Sequence, residues 1–154
     1  MKCVVKTSDE LKLKKWISPP GEPGMSFCCS QILRHERLKH LDAARVTVLN
    51  EDGDAIEKSD GSTVERYTNE SLYNGTKEIL MSHIFDWKGD DLIDTNGKPV
   101  KFSKENLEAF IDGCGAEKIT LEDGTETDLM SWLSRTMGDP NSFIDGDVKN
   151  LKTS

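Results

Sequence analysis

Apolar and polar positions alternate in two different rhythms along this chain. Residues 2–6 (KCVVK) form a short apolar run that predicts a strand. In 10–16 (ELKLKKW), Leu11 and Leu13 alternate with Lys12 and Lys14, a period of two that predicts a second strand. SPPGEPG at 18–24 breaks both patterns, because so many Pro and Gly residues fit neither a helix nor a strand interior. Beyond it, Met25, Cys28, Cys29, Ile32 and Leu33 fall at i, i+3, i+4, i+7 and i+8, which predicts one face of a helix, with Leu38 and Leu41 extending it. The alternation of Val46 and Val48 and the pair Asp52-Gly53 predict a hairpin over 44–58. Ser62 to Glu65 matches a helix capping box.

The second half reads as mainly helical. Ile79, Leu80, Ile84 and Trp87 share a helical face over 76–87, with Gly89 as its stop. Ser103 is the expected cap of the next helix, where Phe102 and Leu107 have the spacing of a hydrophobic staple. A short strand over 118–121 and a turn at Asp123-Gly124 lead to a last helix over 127–137. Together these predict an α+β fold, with N-terminal strands and a β-hairpin followed by a mainly helical C-terminal half. The length of 154 residues fits one domain over 1–144, with 145–154 as a polar, flexible tail.

Composition narrows the partners. The chain has 20 Lys and Arg against 28 Asp and Glu, a formal charge of −8. Phosphate binding needs clustered cations, so this balance argues against nucleic acid and against an anionic membrane surface. No apolar run approaches the length of a membrane span, and the N-terminus lacks the long apolar stretch of a secretory signal. A cytoplasmic site is the expectation. Cys3, Cys28, Cys29 and Cys114 lack the spacing of a disulfide framework and read as free thiols.

Candidate chemistry is sparse. The segment 85–111 is rich in carboxylates around Asn96-Gly97 and invites a calcium-loop reading. With Gly97 at the required glycine, the first ligand position falls on Leu92 and the last on Ser103, so the register fails. Registers on Gly53 and Gly124 place Val48 and Ile119 first and fail as well. Asp90, Asp91 and Asp94 therefore read as the solvated edge of a turn. Cys28, Cys29, His35 and His40 lack zinc-ligand spacing. No nucleophile elbow, P-loop or dinucleotide fingerprint occurs. The expectation is a protein without enzymatic activity, cofactor or metal. Met130, Trp132, Leu133 and Met137 form a candidate partner surface, set against the alternative that they are core.

One stretch carries a resemblance. His83-Ile-Phe-Asp-Trp87-Lys-Gly89, followed by Asp94-Thr-Asn-Gly97-Lys-Pro99-Val-Lys-Phe102-Ser103-Lys-Glu-Asn106-Leu107, resembles a pattern in small proteins of tailed phages and prophages. In that pattern a helix ends near W-K-G, a D-x-x-G-K-P-V-x-F-S turn follows, and E-N-L opens the next helix. Several such proteins are tail assembly chaperones or tail accessory proteins. The likeness is confined to residues 79–112. It implies a non-enzymatic protein of the bacterial host cytoplasm, or one associated with the virion, whose partner is a phage tail protein, above all the helical tape measure protein. Trp87, Gly97, Pro99, Phe102 and Asn106 match motif positions and read as structural. The alternatives are a structural virion component, and a small enzyme or divalent-ion-binding protein of another type.

Overall fold

The computed structural model describes residues 1–144. Its mixed α and β elements, with antiparallel strands throughout and helices concentrated toward the C-terminus, form an α+β fold. The predicted tail at 145–154 lies outside the described residues. The chain divides into two compact units. Unit 1 is Met1–Leu33 with the segment that starts at Leu80, and unit 2 is Arg34–Ile79.

Unit 1 is built on a three-stranded antiparallel sheet in the order β1-β2-β5, where β1 is Lys14–Ile17, β2 is Ser26–Ser30 and β5 is Ile84–Lys88. Its inner face holds Phe27, Cys29, Ile84 and Trp87, all buried. Helix α4 (Lys104–Cys114) packs against that face: the Phe110 ring lies 5.5 Å from Phe27 and 5.7 Å from Trp87. A hairpin of β6 (Lys118–Thr120) and β7 (Glu126–Asp128) leads into α5 (Leu129–Gly138). Asp128 caps α5 by accepting from the Ser131 backbone N–H. The backbone N–H of Ile32 donates to the Met137 carbonyl at 2.8 Å, joining the end of α5 to the segment after β2.

The central strand corrects the helix expected from Met25. β2 is hydrogen-bonded on both sides, and the register slips between Cys28 and Cys29, so that Cys28 faces Asp86 and Cys29 faces Ile84. The extra residue in β5 leaves Phe85 and Asp86 outward and returns both Ile84 and Trp87 to the core. A bulge of this kind breaks period two. It produces a spacing of three that mimics a helix, and it accounts for the expected helix reaching Trp87. In the structure that helix, α3, is Asn69–His83 and gives way to β5.

The N-terminus also differs. Residues 2–6 form no strand, and Val5 is exposed. Of the strand expected over 10–16, the first part is a helical turn, α1 (Ser8–Leu11), held by a capping box between Thr7 and Glu10. The Pro-Gly break at 18–24 has a packing role. A Cβ on Gly89 (φ +129°) would strike the Gly24 carbonyl, so glycine is needed where these segments cross.

Unit 2 contains α2 (Arg34–Ala43), the body of α3, and a small meander between them. The expected hairpin turn is present at Asn50–Asp54, with Gly53 at φ +82°. Val64 adds a third segment by bonding to both Val48 and Ile56. Strands β3 (Val46–Thr47) and β4 (Glu65–Arg66) close the meander. The capping box expected at Ser62 starts no helix: Ser62 donates from its backbone and its hydroxyl to Asp60, closing a turn before β4.

Candidate functional site

Met130, Trp132, Leu133 and Met137 are all buried, together with Leu129. Their helix face is thus buried in the folded chain. This is the core alternative that the sequence left open.

The connector residues are brought together. The Trp87 indole N–H donates to the Val100 carbonyl at 2.9 Å, and the Phe102 ring meets Trp87 edge to face at 5.4 Å. Gly97 has φ +77°, and Asp94 accepts from the backbone N–H groups of Asn96 and Lys98. A lone bridge pairs Ile93 with Pro99. Asn106 reaches back to the Lys101 carbonyl at 2.9 Å, while Ser103 caps α4 through the Asn106 N–H. Each of the five motif residues thus shapes the path from β5 into α4. Trp87, expected at a helix end, stands on a strand.

Beside this connector lies the outer face of the β1-β2-β5 sheet. Outward positions include Lys14 and Trp16 on β1, Cys28 on β2, and Phe85, Asp86 and Lys88 on β5. Trp16 is 44% exposed. The Lys88 ammonium sits 4.2 Å from the Trp16 ring centroid, and that of Lys14 sits 4.1 Å from the Phe85 centroid. Lys104 approaches Phe85 at 5.3 Å and donates to the carbonyls of Met81 and Ile84, closing the end of α3. Burial, and then the nearby Lys14 charge, lower the pKa of Lys104. The carboxylate on this face, Asp86, is turned to the Trp87 backbone N–H. Among the described residues, no carboxylate reaches ion-pair distance of Lys14, Lys88 or Lys104. Exposed cation–π pairs of this kind contribute about 0.5–1 kcal/mol each. The sequence reading passed over this face. Its signal in the sequence was a tryptophan, Trp16, set directly after two lysines, Lys14 and Lys15.

Unit 2 holds a second feature. Helices α2 and α3 leave a shallow groove of about 30 Å³, open to solvent, floored by Ala44, Gly75 and Ile79 and edged by Leu41, Leu72 and Arg37. The two helices meet closely beside Gly75: a Cβ there would stand 3.7 Å from the Ala44 side chain and 3.7 Å from the His40 carbonyl, ordinary van der Waals contact. His40 lies 3.9 Å from Glu78 at the rim. Leu38 and Leu72 are exposed, as are Leu49 and Ile56 on the meander.

Of the thiols and histidines, Cys29 and His83 are buried. Burial, with Cys28 adding to it, pushes the Cys29 thiol up to about 12, which suits a core residue. The buried His83 ring nitrogen Nδ1 shares a hydrogen bond with Ser30 at 2.8 Å. Cys28 and Cys29 lie on β2, whereas His35 and His40 lie on α2. All four cysteines are free. No cluster of three or more His, Cys, Asp or Glu residues suited to a metal occurs among the described residues, and no helix there is long and apolar enough to cross a membrane. No protein-family model, curated protein or solved structure matches this chain.

Proposed function

We propose that this chain is a non-enzymatic bacteriophage tail assembly chaperone or tail accessory protein that acts in the host cytoplasm by holding an amphipathic helical segment of a tape-measure-type partner. The observation that carries the reading is the α2–α3 groove of unit 2, which leaves Leu41 and Leu72 partly in water beside a floor of Ala44, Gly75 and Ile79. Helical partners are commonly held by such apolar grooves, with anchors at i, i+3 or i+4 and i+7. The link to phage tails rests on the resemblance of residues 79–112.

A long helical tail protein exposes apolar stripes until the tube assembles around it. Covering them removes apolar area from water at roughly 25 cal/mol per Å². Release must follow, so a modest interface of about 1,200 Å² or less suits the role. The charge of −8 keeps such a complex dispersed.

Co-expression with the tape measure protein of the same genome tests the proposal. The partner is expected to become soluble and to co-elute with this chain, and Leu41→Ser with Leu72→Ser is expected to abolish both effects. A partner equally insoluble with and without this chain, with no complex on size exclusion or after cross-linking, overturns it.

A further inference from the structure

We propose that the outer face of the β1-β2-β5 sheet is a second docking surface, which takes an acidic polypeptide segment of a partner protein. The partner's carboxylates would meet Lys14, Lys88 and Lys104, and an apolar side chain between them would lie against the parts of Trp16 and Phe85 that the lysines leave uncovered.

Three observations carry this. The inner face of the sheet is buried by α4, while the outer face keeps two large aromatic side chains in solvent. The lysines on that face rest on the rings or close a helix end, and have no carboxylate at ion-pair distance among the described residues. They do so in a chain with eight more acidic than basic residues, where intramolecular pairing would be easy to arrange. A local cationic patch of this kind gains most from an anion supplied from outside. Lys104, whose pKa is lowered by burial and by Lys14, would regain a favourable environment beside such an anion.

The same geometry favours a peptide over a nucleic acid. Single-strand binding stacks bases on open ring faces. Here Lys88 and Lys14 already occupy positions over Trp16 and Phe85. The net charge of −8 also repels a continuous phosphate chain more than a short run of carboxylates. The surface is independent of the unit 2 groove, so either proposal stands if the other fails.

Trp16 makes the test specific. It is well exposed, whereas Trp87 and Trp132 are each 8% exposed, so acrylamide quenching of the folded protein reports chiefly on Trp16. The probe is a short blocked peptide of Glu and Asp around a central Phe, with two comparison ligands: the same peptide carrying Lys in place of the acids, and oligothymidylate. The acidic peptide is expected to shield Trp16 from acrylamide, less so as salt is raised. Lys14→Glu with Lys88→Glu is expected to weaken that binding by about tenfold or more, because like charges then face each other. Melting curves check that the variant folds, and Lys14→Gln with Lys88→Gln serves if it does not. Leu41→Ser with Leu72→Ser is expected to leave shielding unchanged. Failure of the acidic peptide to shield Trp16 overturns the proposal, as does equal shielding by the lysine peptide or shielding indifferent to the lysine variants. Shielding by oligothymidylate at lower concentration overturns it in favour of a nucleic-acid surface.

Discussion

Unit 1 encloses Phe27, Ile84, Leu107, Ile111, Leu133 and Met137 almost completely, whereas the buried apolar side chains of unit 2 are Ala44 and Ile79. Both units have helices and antiparallel strands, and both close their turns with the same chemistry. In unit 2, Asn50 accepts from the backbone N–H groups of Asp52 and Asp54; in unit 1, Asp94 accepts from those of Asn96 and Lys98. The difference lies in what the elements cover. In unit 1 a sheet and two helices bury one another's apolar faces. In unit 2 Leu38 and Leu41 on α2, and Val46, Leu49 and Ile56 on the meander, remain partly in water. Local stability follows buried apolar contact, so unit 1 should hold most of the folding free energy, and unit 2 should open more easily. Exposed apolar surface collected in one such region is characteristic of interaction sites.

The largest effect expected from a single substitution is at the centre of unit 1. Phe27→Ala removes a ring with no exposure that contacts Phe110, and should cost about 3–5 kcal/mol, as emptied aromatic core sites do. Denaturant melts followed by fluorescence measure it. A loss below about 1 kcal/mol would show that the sheet does not organise the core, since changes that small are ordinary for less critical positions.

Next comes the cap of α5. Asp128→Ala removes the acceptor for the Ser131 backbone N–H and should cost about 1 kcal/mol. Partial burial pushes the Asp128 pKa up, but hydrogen bonds from the Ser131 N–H and hydroxyl, with help from its own backbone and from Lys118, outweigh it and hold the pKa below its ordinary value. A depressed folded-state pKa means that stabilisation is complete above the unfolded pKa and is lost as pH falls through the folded one. The melting temperatures of parent and variant should therefore differ at neutral pH and converge in acid below the ordinary carboxylate range. A gap that widens on acidification would contradict this.

Unit 2 should respond far less. Leu41→Ser with Leu72→Ser is expected to change folding stability by no more than about 0.5 kcal/mol, as exposed substitutions do. The same denaturant melts apply. A loss comparable to that of Phe27→Ala would dissolve the contrast between the units and make the groove part of a core.

The smallest effect expected is that of calcium. The carboxylate oxygen of Asp94 already closes its own turn, and Leu92 is buried with no oxygen to offer. Millimolar calcium should leave the melting temperature unchanged. Ligand binding at hundredfold excess over the dissociation constant would add about 2.7 kcal/mol and would be plain in the melt.

Features made by chain neighbours were determined by the sequence itself. The turns at Asp52-Gly53, Asn96-Gly97 and Asp123-Gly124 each place glycine at positive φ. Ser103 caps α4 as its spacing requires. Such features depend on a few adjacent residues whose hydrogen bonds reach only two to four positions along the chain. The tertiary structure decided the rest. Ser26–Ser30 is a strand because β1 and β5 hydrogen-bond it on both sides, and pairing partners distant in sequence override local periodicity. The bulge at Phe85 and Asp86 gave β5 a three-residue spacing that belongs to neither pure rhythm. Both candidate surfaces come from the same level. Trp16 and Phe85 are exposed because of which sheet face α4 covers, and Leu41 and Leu72 because little in unit 2 covers them. Hydrophobicity can be read from residue type, but burial is a property of what packs opposite, which is fixed only when distant segments meet.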